Sequence, residues 1–243
     1  EQLTGWTLAE AAGMHLGEVF DARDMDRSGS RPAFASCLAG DCEQQHSENT
    51  ELTRRDGKTL TVEHSTSRIR DESGRGVGLV LVFHDDTATR ELAVQLSYQA
   101  SHDALTGLVN RRVIEMELRD ALRASRADDS EHAFLYVDLD QFKLVNDTCG
   151  HVAGDELLRQ LTKLLQKKTR KTDCLARLGG DEFGLLLRDC GPQKARAIAD
   201  GLLETLRGFR FVWEQHTFKI GASIGVASID AQLESVEAAM SAA

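Results

Sequence analysis

Two segments between residues 59 and 83 carry strand periodicity. Thr59-Leu60-Thr61-Val62-Glu63-His64 alternates and is rich in β-branched residues, which predicts a half-buried strand. Val77-Gly78-Leu79-Val80-Leu81-Val82-Phe83 is apolar almost throughout and predicts a strand too apolar for a sheet edge. The polar, glycine-bearing stretch Arg70-Asp71-Glu72-Ser73-Gly74-Arg75-Gly76 between them reads as a hairpin turn, and Arg55-Asp56-Gly57-Lys58 as the turn before the first strand. From Thr87 the period lengthens. Leu92, Leu96 and Gln99/Ala100 recur among Arg90, Glu91 and Gln95, a helix that reads equally as a short coiled coil or as a linker packed on one domain.

Strands and helices alternate beyond it. Ala133 to Val137 is a short apolar strand, and Val152, Leu157, Leu158, Leu161, Leu164 and Leu165 share one helical face. Leu175–Leu178 and Phe183–Leu187 are strands around a Gly-Gly turn. Ala195, Ile198, Ala199, Leu202, Leu203 and Leu206 mark a second helix, and Phe218, Ile220, Ala222, Ile224 and Val226 a single half-buried strand. The order strand–helix–strand–strand–helix–strand predicts an α+β, ferredoxin-like split βαβ arrangement with its helices on one sheet face.

Composition narrows the class. Of 243 residues, 41% are hydrophobic and 28% charged, an ordinary globular mixture. The net charge of −10 argues against a nucleic-acid partner and against passive adhesion to anionic lipid, both of which need a basic footprint. No apolar run approaches the ~18–20 residues that span a bilayer, and no signal peptide opens the sequence, so a cytoplasmic chain is expected, with tethering of a longer parent left open. Cys37, Cys42, Cys149, Cys174 and Cys190 fit no zinc spacing and no disulfide framework, and read as reduced thiols. His15, His46, His64 and His84 have no ligand spacing either.

Chemistry concentrates at two acidic sites. Asp138 and Asp140 end the strand at 134–137, where carboxylates are costly unless they meet a cation or a donor. Gly179-Gly180-Asp181-Glu182 tips the following hairpin, and its glycines permit a turn and a close ligand approach. If the two strands are neighbours, Asp138 and Asp181 share a pocket of hard oxygens suited to Mg²⁺. Taken singly, each acid reads equally well as a helix cap or a turn residue. Between them, Gln141-Phe142-Lys143 begins a short helix whose N–H groups suit phosphate. Asn146 and Asp155 complement the donors and acceptors of a guanine edge, or simply end a turn and favour a helix N-terminus.

Arg177-Leu178-Gly179-Gly180-Asp181-Glu182-Phe183 contains an intact GGDEF sequence. Together with Ser101-His102-Asp103-Ala104-Leu105-Thr106-Gly107-Leu108-Val109-Asn110-Arg111, Asp138-Leu139-Asp140-Gln141-Phe142-Lys143, Asn146-Asp147 and Gly150-His151-Val152-Ala153-Gly154-Asp155, it resembles the bacterial diguanylate cyclases over about residues 100–243. The resemblance implies a palm-like, nucleotidyl-cyclase-like domain that joins two GTP into cyclic di-GMP. It implies Mg²⁺ (or Mn²⁺) on Asp138, Asp181 and the Leu139 carbonyl, and a role for Glu182 in activating the 3′-hydroxyl. It further implies guanine on Asn146 and Asp155, phosphates at Phe142 and Lys143, close nucleotide approach at Gly179 and Gly180, and a homodimer for catalysis. Arg170-Lys171-Thr172-Asp173 matches the family's R-x-x-D product-inhibition site.

Glu1-Gln2-Leu3-Thr4-Gly5-Trp6-Thr7, Glu10-Ala11-Ala12-Gly13 and the exit Phe83-His84-Asp85-Asp86-Thr87 resemble a PAS sensor domain. The residues assign no particular PAS ligand, and Cys37 and Cys42 suggest no flavin chemistry. The organisation expected is an N-terminally incomplete PAS domain at 1–87, a helical linker at 88–103 and a C-terminally incomplete GGDEF domain at 104–243. The rival reading is a GGDEF module that binds GTP or cyclic di-GMP to regulate a downstream EAL phosphodiesterase domain.

Overall fold

The computed structural model describes residues 1–25 and 44–242. Cys37 and Cys42 lie outside the described residues. The chain divides into two compact units, Glu1–Leu96 and Ser97–Ala243.

The first unit opens with two single-turn helices, α1 (Leu8–Ala11) and α2 (Leu16–Val19). Thr7 and Glu10 form a reciprocal capping box on α1, and the Gly17 N–H donates to His15 Nδ1 at 3.2 Å on α2. Four antiparallel strands follow in chain order: β1 (Asp21–Asp24), β2 (Gln44–Thr53), β3 (Thr59–Arg70) and β4 (Gly76–Asp85). Phe20, Ala22, Leu52 and Val62 form the core, with Leu60, Leu79, Leu81 and Phe83 packed on it. Among the described residues β4 pairs with β3 alone. From Leu79 on its apolar run splits by the two-residue period: Leu79, Leu81 and Phe83 face the core, while Val80 and Val82 stand 43% and 62% exposed. Val77, 60% exposed, lies at the register shift between β3 and β4. The histidines do not converge: His15 caps α2, His46 lies 3.5 Å from Glu63, His64 is buried 2.9 Å from the Thr50 hydroxyl, and His84 is exposed.

At the exit of β4, the Thr87 N–H donates to the Asp85 carboxylate at 3.0 Å, and the Thr87 hydroxyl accepts from the Thr61 N–H at 3.1 Å. These bonds tie the sheet to the start of α3 (Thr87–Ser101), a helix with no buried residue.

The second unit holds β5 (Val109–Asn110), α4 (Arg111–Asp128), β6 (His132–Asp140), α5 (Phe142–Cys149), α6 (His151–Gln166), β7 (Cys174–Gly179), β8 (Glu182–Leu187), α7 (Pro192–Gly208), the hairpin β9 (Arg210–Trp213) and β10 (His216–Lys219), β11 (Gly221–Ile229) and α8 (Val236–Ala242). Its sheet runs β11-β6-β8-β7-β5, with only β5–β7 parallel. Alternate residues of β6 feed two cores. Ala133, Leu135, Val137 and Leu139 pack with α6 and α7, whereas Phe134 packs with Ile114 and Leu118 of α4 and Val236 of α8. Helices thus cover both faces, not one, because β6 is apolar on both sides.

Two further expectations change. Val152 is 70% exposed, since it stands about 140° around α6 from Leu157 and Ala153 takes the buried position. The expected strand 218–226 is broken at Ile220 into β10 and β11, which belong to different sheets. The two-residue alternation survives the break because Ile220 is itself buried. Among the described residues no helix is long and apolar enough to cross a membrane.

Candidate active site

The end of β6 lies between β8 and β11. Asp138 faces Glu182 of β8 on one side and Ser223 of β11 on the other. Directly paired residues share a sheet face, so Asp138 and Glu182 project together. Asp181 is the second residue of the two-residue turn Gly180-Asp181. Gly179 and Gly180 have φ of +150° and +50°, backbone that glycine adopts without strain, and a Cβ at either would meet nothing within 4 Å. The turn is therefore open on the side where a ligand approaches.

Charge crowds this strand end. Burial, and then the Asp181, Glu182 and Asp140 carboxylates, push the Asp138 carboxyl above its ordinary value. Tyr136, two residues back on the same face, is pushed up to about 12 by burial and by the Glu182 carboxylate beside its hydroxyl. The Asp140 carboxylate accepts from the Ser223 hydroxyl at 3.1 Å. A Cβ at Gly221 would lie 2.6 Å from Asp140 Oδ2, so a larger residue there would force the Asp140 carboxylate to shift. The Leu139 side chain is buried, leaving its carbonyl as the only donor it can offer a cation.

Hard oxygens with excess negative charge are the donor set a Mg²⁺-type ion requires. Among the described residues no group of three or more His, Cys, Asp or Glu could hold a metal by itself.

The GGDEF turn is pinned from behind. Arg177 Nε and Nη2 donate to the Gly180 carbonyl at 3.0 and 2.8 Å, while Nη1 reaches both oxygens of Asp103 at 3.1 and 3.2 Å. Asp103 also accepts from the Thr106 N–H at 2.9 Å and hydroxyl at 2.6 Å. Burial alone would raise the Asp103 carboxyl, yet the Thr106 hydrogen bonds and the Arg177 guanidinium hold it below its ordinary value. Both residues stand inside the quoted motifs, but spacing alone carried no sign that they touch across 74 residues.

The other half of the site is α5 and the start of α6. Gln141 caps α5 in the left-handed region (φ +64°) with no side-chain hydrogen bond, so the first N–H groups at Phe142 and Lys143 receive no side-chain cap. Phe142 is half-buried on the core and Lys143 is exposed. Asn146 Oδ1 is buried without a partner. Gly154 makes room for it: a Cβ there would lie 2.0 Å from Asn146 Oδ1 and 3.2 Å from Phe142 Cζ. Asp155 follows, half-buried, in the first turns of α6. A buried acceptor with no donor is costly, and a ligand amine or N–H would satisfy it.

Arg170 and Asp173 close a turn before β7. The Arg170 N–H donates to the Asp173 carboxylate at 2.9 Å and the Asp173 N–H to the Arg170 carbonyl at 3.1 Å, leaving the guanidinium exposed.

Residues 100–243 match the family described as diguanylate cyclase, GGDEF domain, and residues 1–91 match the PAS fold. The chain is 41% identical over 231 residues to the probable diguanylate cyclase DgcE of Escherichia coli (strain K12), covering 95% of this chain and 21% of that protein. It is 41% identical over 140 residues to the bifunctional diguanylate cyclase/cyclic di-GMP phosphodiesterase MucR of Pseudomonas aeruginosa, covering 58% of this chain and 20% of that one. The solved structure of a sensory box/GGDEF family protein from Caulobacter crescentus CB15 superposes with a TM-score of 0.55 at 36% identity, over 59% of this chain and 92% of that one. The chain thus spans about a fifth of the length of these curated relatives. With its GGDEF turn intact between paired carboxylates, and a PAS fold ahead of it, the chain belongs to the GGDEF diguanylate cyclase family.

Proposed function

We propose that this chain is the sensory and catalytic part of a diguanylate cyclase, condensing two GTP into cyclic di-GMP and two pyrophosphates. The observation that carries this reading is the β6–β8 register, which pairs Asp138 with Glu182 beside Asp181. In this reading Asn146 and Asp155 hold the guanine, with the unpartnered Asn146 Oδ1 accepting from its N1–H or amine. The uncapped N–H groups at Phe142 and Lys143 bind the β- and γ-phosphates. Gly179 and Gly180 admit the nucleotide. Asp138, Asp181 and the Leu139 carbonyl would hold Mg²⁺ or Mn²⁺, which when bound supplies Lewis-acid stabilisation of charge on the phosphates. Glu182 takes or orients the 3′-hydroxyl proton. The 3′-oxygen forms a bond to the α-phosphorus of the second GTP, the bond to the pyrophosphate oxygen breaks, and pyrophosphate leaves. One domain holds one GTP, so two copies must face each other.

The reading includes feedback. Arg170 and Asp173 bind the product away from the GGDEF turn, the guanidinium on phosphate or base and the carboxylate on guanine donors. It also gives the PAS-fold unit control of pairing through α3. Leu92 and Leu96, each 56% exposed, lie one turn apart on the same face of that helix and suit a second copy of it. The relative that combines cyclase and phosphodiesterase names supports the rival, a nucleotide-binding module regulating a further domain. The intact acidic set favours the enzyme.

The test is chromatography of GTP incubated with Mg²⁺ and the chain. Cyclic di-GMP and pyrophosphate are expected, and Asp181→Ala should abolish them while sparing cyclic di-GMP binding at Arg170. Measurable GTP binding without any product would overturn the enzyme in favour of the binding module.

A further inference from the structure

Phe134, Tyr136 and Asp138 lie on the α4 face of β6, and their partners on β8 are Leu186, Gly184 and Glu182. On β11 the partner of Tyr136 is Gly225, so no side chain flanks its ring from either neighbouring strand. The direction in which the rings lean is set by their contacts. A Cβ at Gly184 would lie 3.1 Å from Phe134 Cε2, so Phe134 reaches past its own partner Leu186 and over the residue two places nearer the acidic turn. The Tyr136 ring centroid stands 6.4 Å from that of Phe134, close to the roughly 6.8 Å that two residues of a strand span, so the two rings lean alike. The same lean carries the Tyr136 hydroxyl past Gly184 to its diagonal neighbour, the Glu182 carboxylate. Arg177, on the other strand of the hairpin, gives its donors to the Gly180 carbonyl and to Asp103, not to Glu182. An ionised glutamate only accepts, and a phenol at neutral pH keeps its proton and donates.

We propose that Tyr136 is a positioning residue for Glu182, its hydroxyl donating to the carboxylate and holding it toward the 3′-hydroxyl that Glu182 serves. The inference rests on the cyclase reading above and adds the residue that orients its proton acceptor. A glutamate side chain rotates about several bonds, and a carboxylate that wanders spends little time within hydrogen-bond reach of the proton it takes. A charge-assisted O–H···O⁻ bond restricts that wandering, and the ring that offers it is itself packed edge-on against the buried Phe134. The carboxylate keeps further lone pairs for the substrate, so holding it does not block it.

The experiment is steady-state turnover of GTP with Mg²⁺ by the chain and by Tyr136→Phe, which deletes the hydroxyl and keeps the ring. The expected result is a kcat about tenfold lower, the scale of one charge-assisted bond, with KM for GTP within about twofold of the parent and the circular dichroism spectrum unchanged. Glu182→Gln should lose more, and adding Tyr136→Phe to it should lower the residual turnover no further, since a group that acts through Glu182 has nothing left to orient. A Tyr136→Phe chain that turns over like the parent, or one in which KM rises and kcat holds, overturns the positioning role and leaves the cyclase reading intact. If Glu182→Gln turns over like the parent, or the parent makes no cyclic di-GMP, the reading of Glu182 fails and Tyr136 with it.

Discussion

Gly154 shows how much of a site can rest on a missing atom. Its Cβ would sit 2.0 Å from Asn146 Oδ1, 3.0 Å from Asn146 Cγ and 3.2 Å from Phe142 Cζ, so the Asn146 side chain would have to move. Gly154→Ala should therefore displace Asn146 and weaken GTP binding by at least about tenfold with the circular dichroism spectrum unchanged, whereas Val152→Ala, on the exposed side of α6, should leave titrations as they were. Asp138 poses the opposite problem, a side chain that the fold keeps at a disadvantage. Its carboxyl is raised by burial and by the neighbouring acids, so the folded chain holds that proton more tightly than the unfolded chain does. Its contribution to stability is complete below the ordinary carboxylate pKa and is lost as pH rises through the raised one. At neutral pH without divalent cations, Asp138→Asn should therefore melt about 1–3 °C above the parent in scanning calorimetry, while its turnover falls more than a hundredfold. A lower melting temperature would show that the carboxylates do not repel as the fold places them. The residues with these roles were legible as motif letters, but the reason for Gly154 was not. A glycine in sequence is silent about what occupies the volume its side chain would fill.

At the scale of elements, the β7–β8 hairpin is held by one side chain. Arg177 grips the Gly180 carbonyl and Asp103 at once, with the pair only 13% and 24% exposed. Arg177→Met should cost about 1–3 kcal/mol in urea unfolding, because it leaves the carbonyl and most of the carboxylate without their charged donor. The pH profile supplies a second check. Asp103 is held low, so its contribution is present above the ordinary carboxylate pKa and is lost as pH falls through the lowered one. The parent should lose stability below about pH 4 and the variant should lose less there. Helix α4 teaches a different lesson. Ile114, Leu118, Ala121, Leu122 and Ser125 follow helical spacing, and Asn110 caps the helix by accepting from the Val113 N–H at 3.2 Å. That pattern is present in the sequence, and a helix there covers the sheet face opposite α6 and α7. The pairing partners of β4 were not available in the same way. Apolar content reports how much of a strand is covered, not which strand lies beside it.

For the whole molecule, the proposed function calls for two copies and gives their pairing to α3, which buries none of its residues within the described chain. If pairing of this helix sets when two GTP sites meet, cysteine cross-links placed at successive positions along 92–98 should change turnover with register, and equal turnover in every register would remove α3 from the mechanism. The amino-acid sequence by itself determined the two-domain order, the connecting helix, the alternation of strands and helices around the acidic turn, and the identity of the family. Each of these is written in local periodicity or in short runs of adjacent letters, which need no knowledge of distant neighbours. Only the tertiary structure decided that helices cover both faces of the sheet, that 218–226 is two strands, that Arg177 reaches Asp103, and that Gly154 shelters Asn146. Each of those joins residues from separate elements. Contacts of that kind depend on packing and strand pairing over the full chain, and periodicity carries no record of which partner a strand or side chain finds.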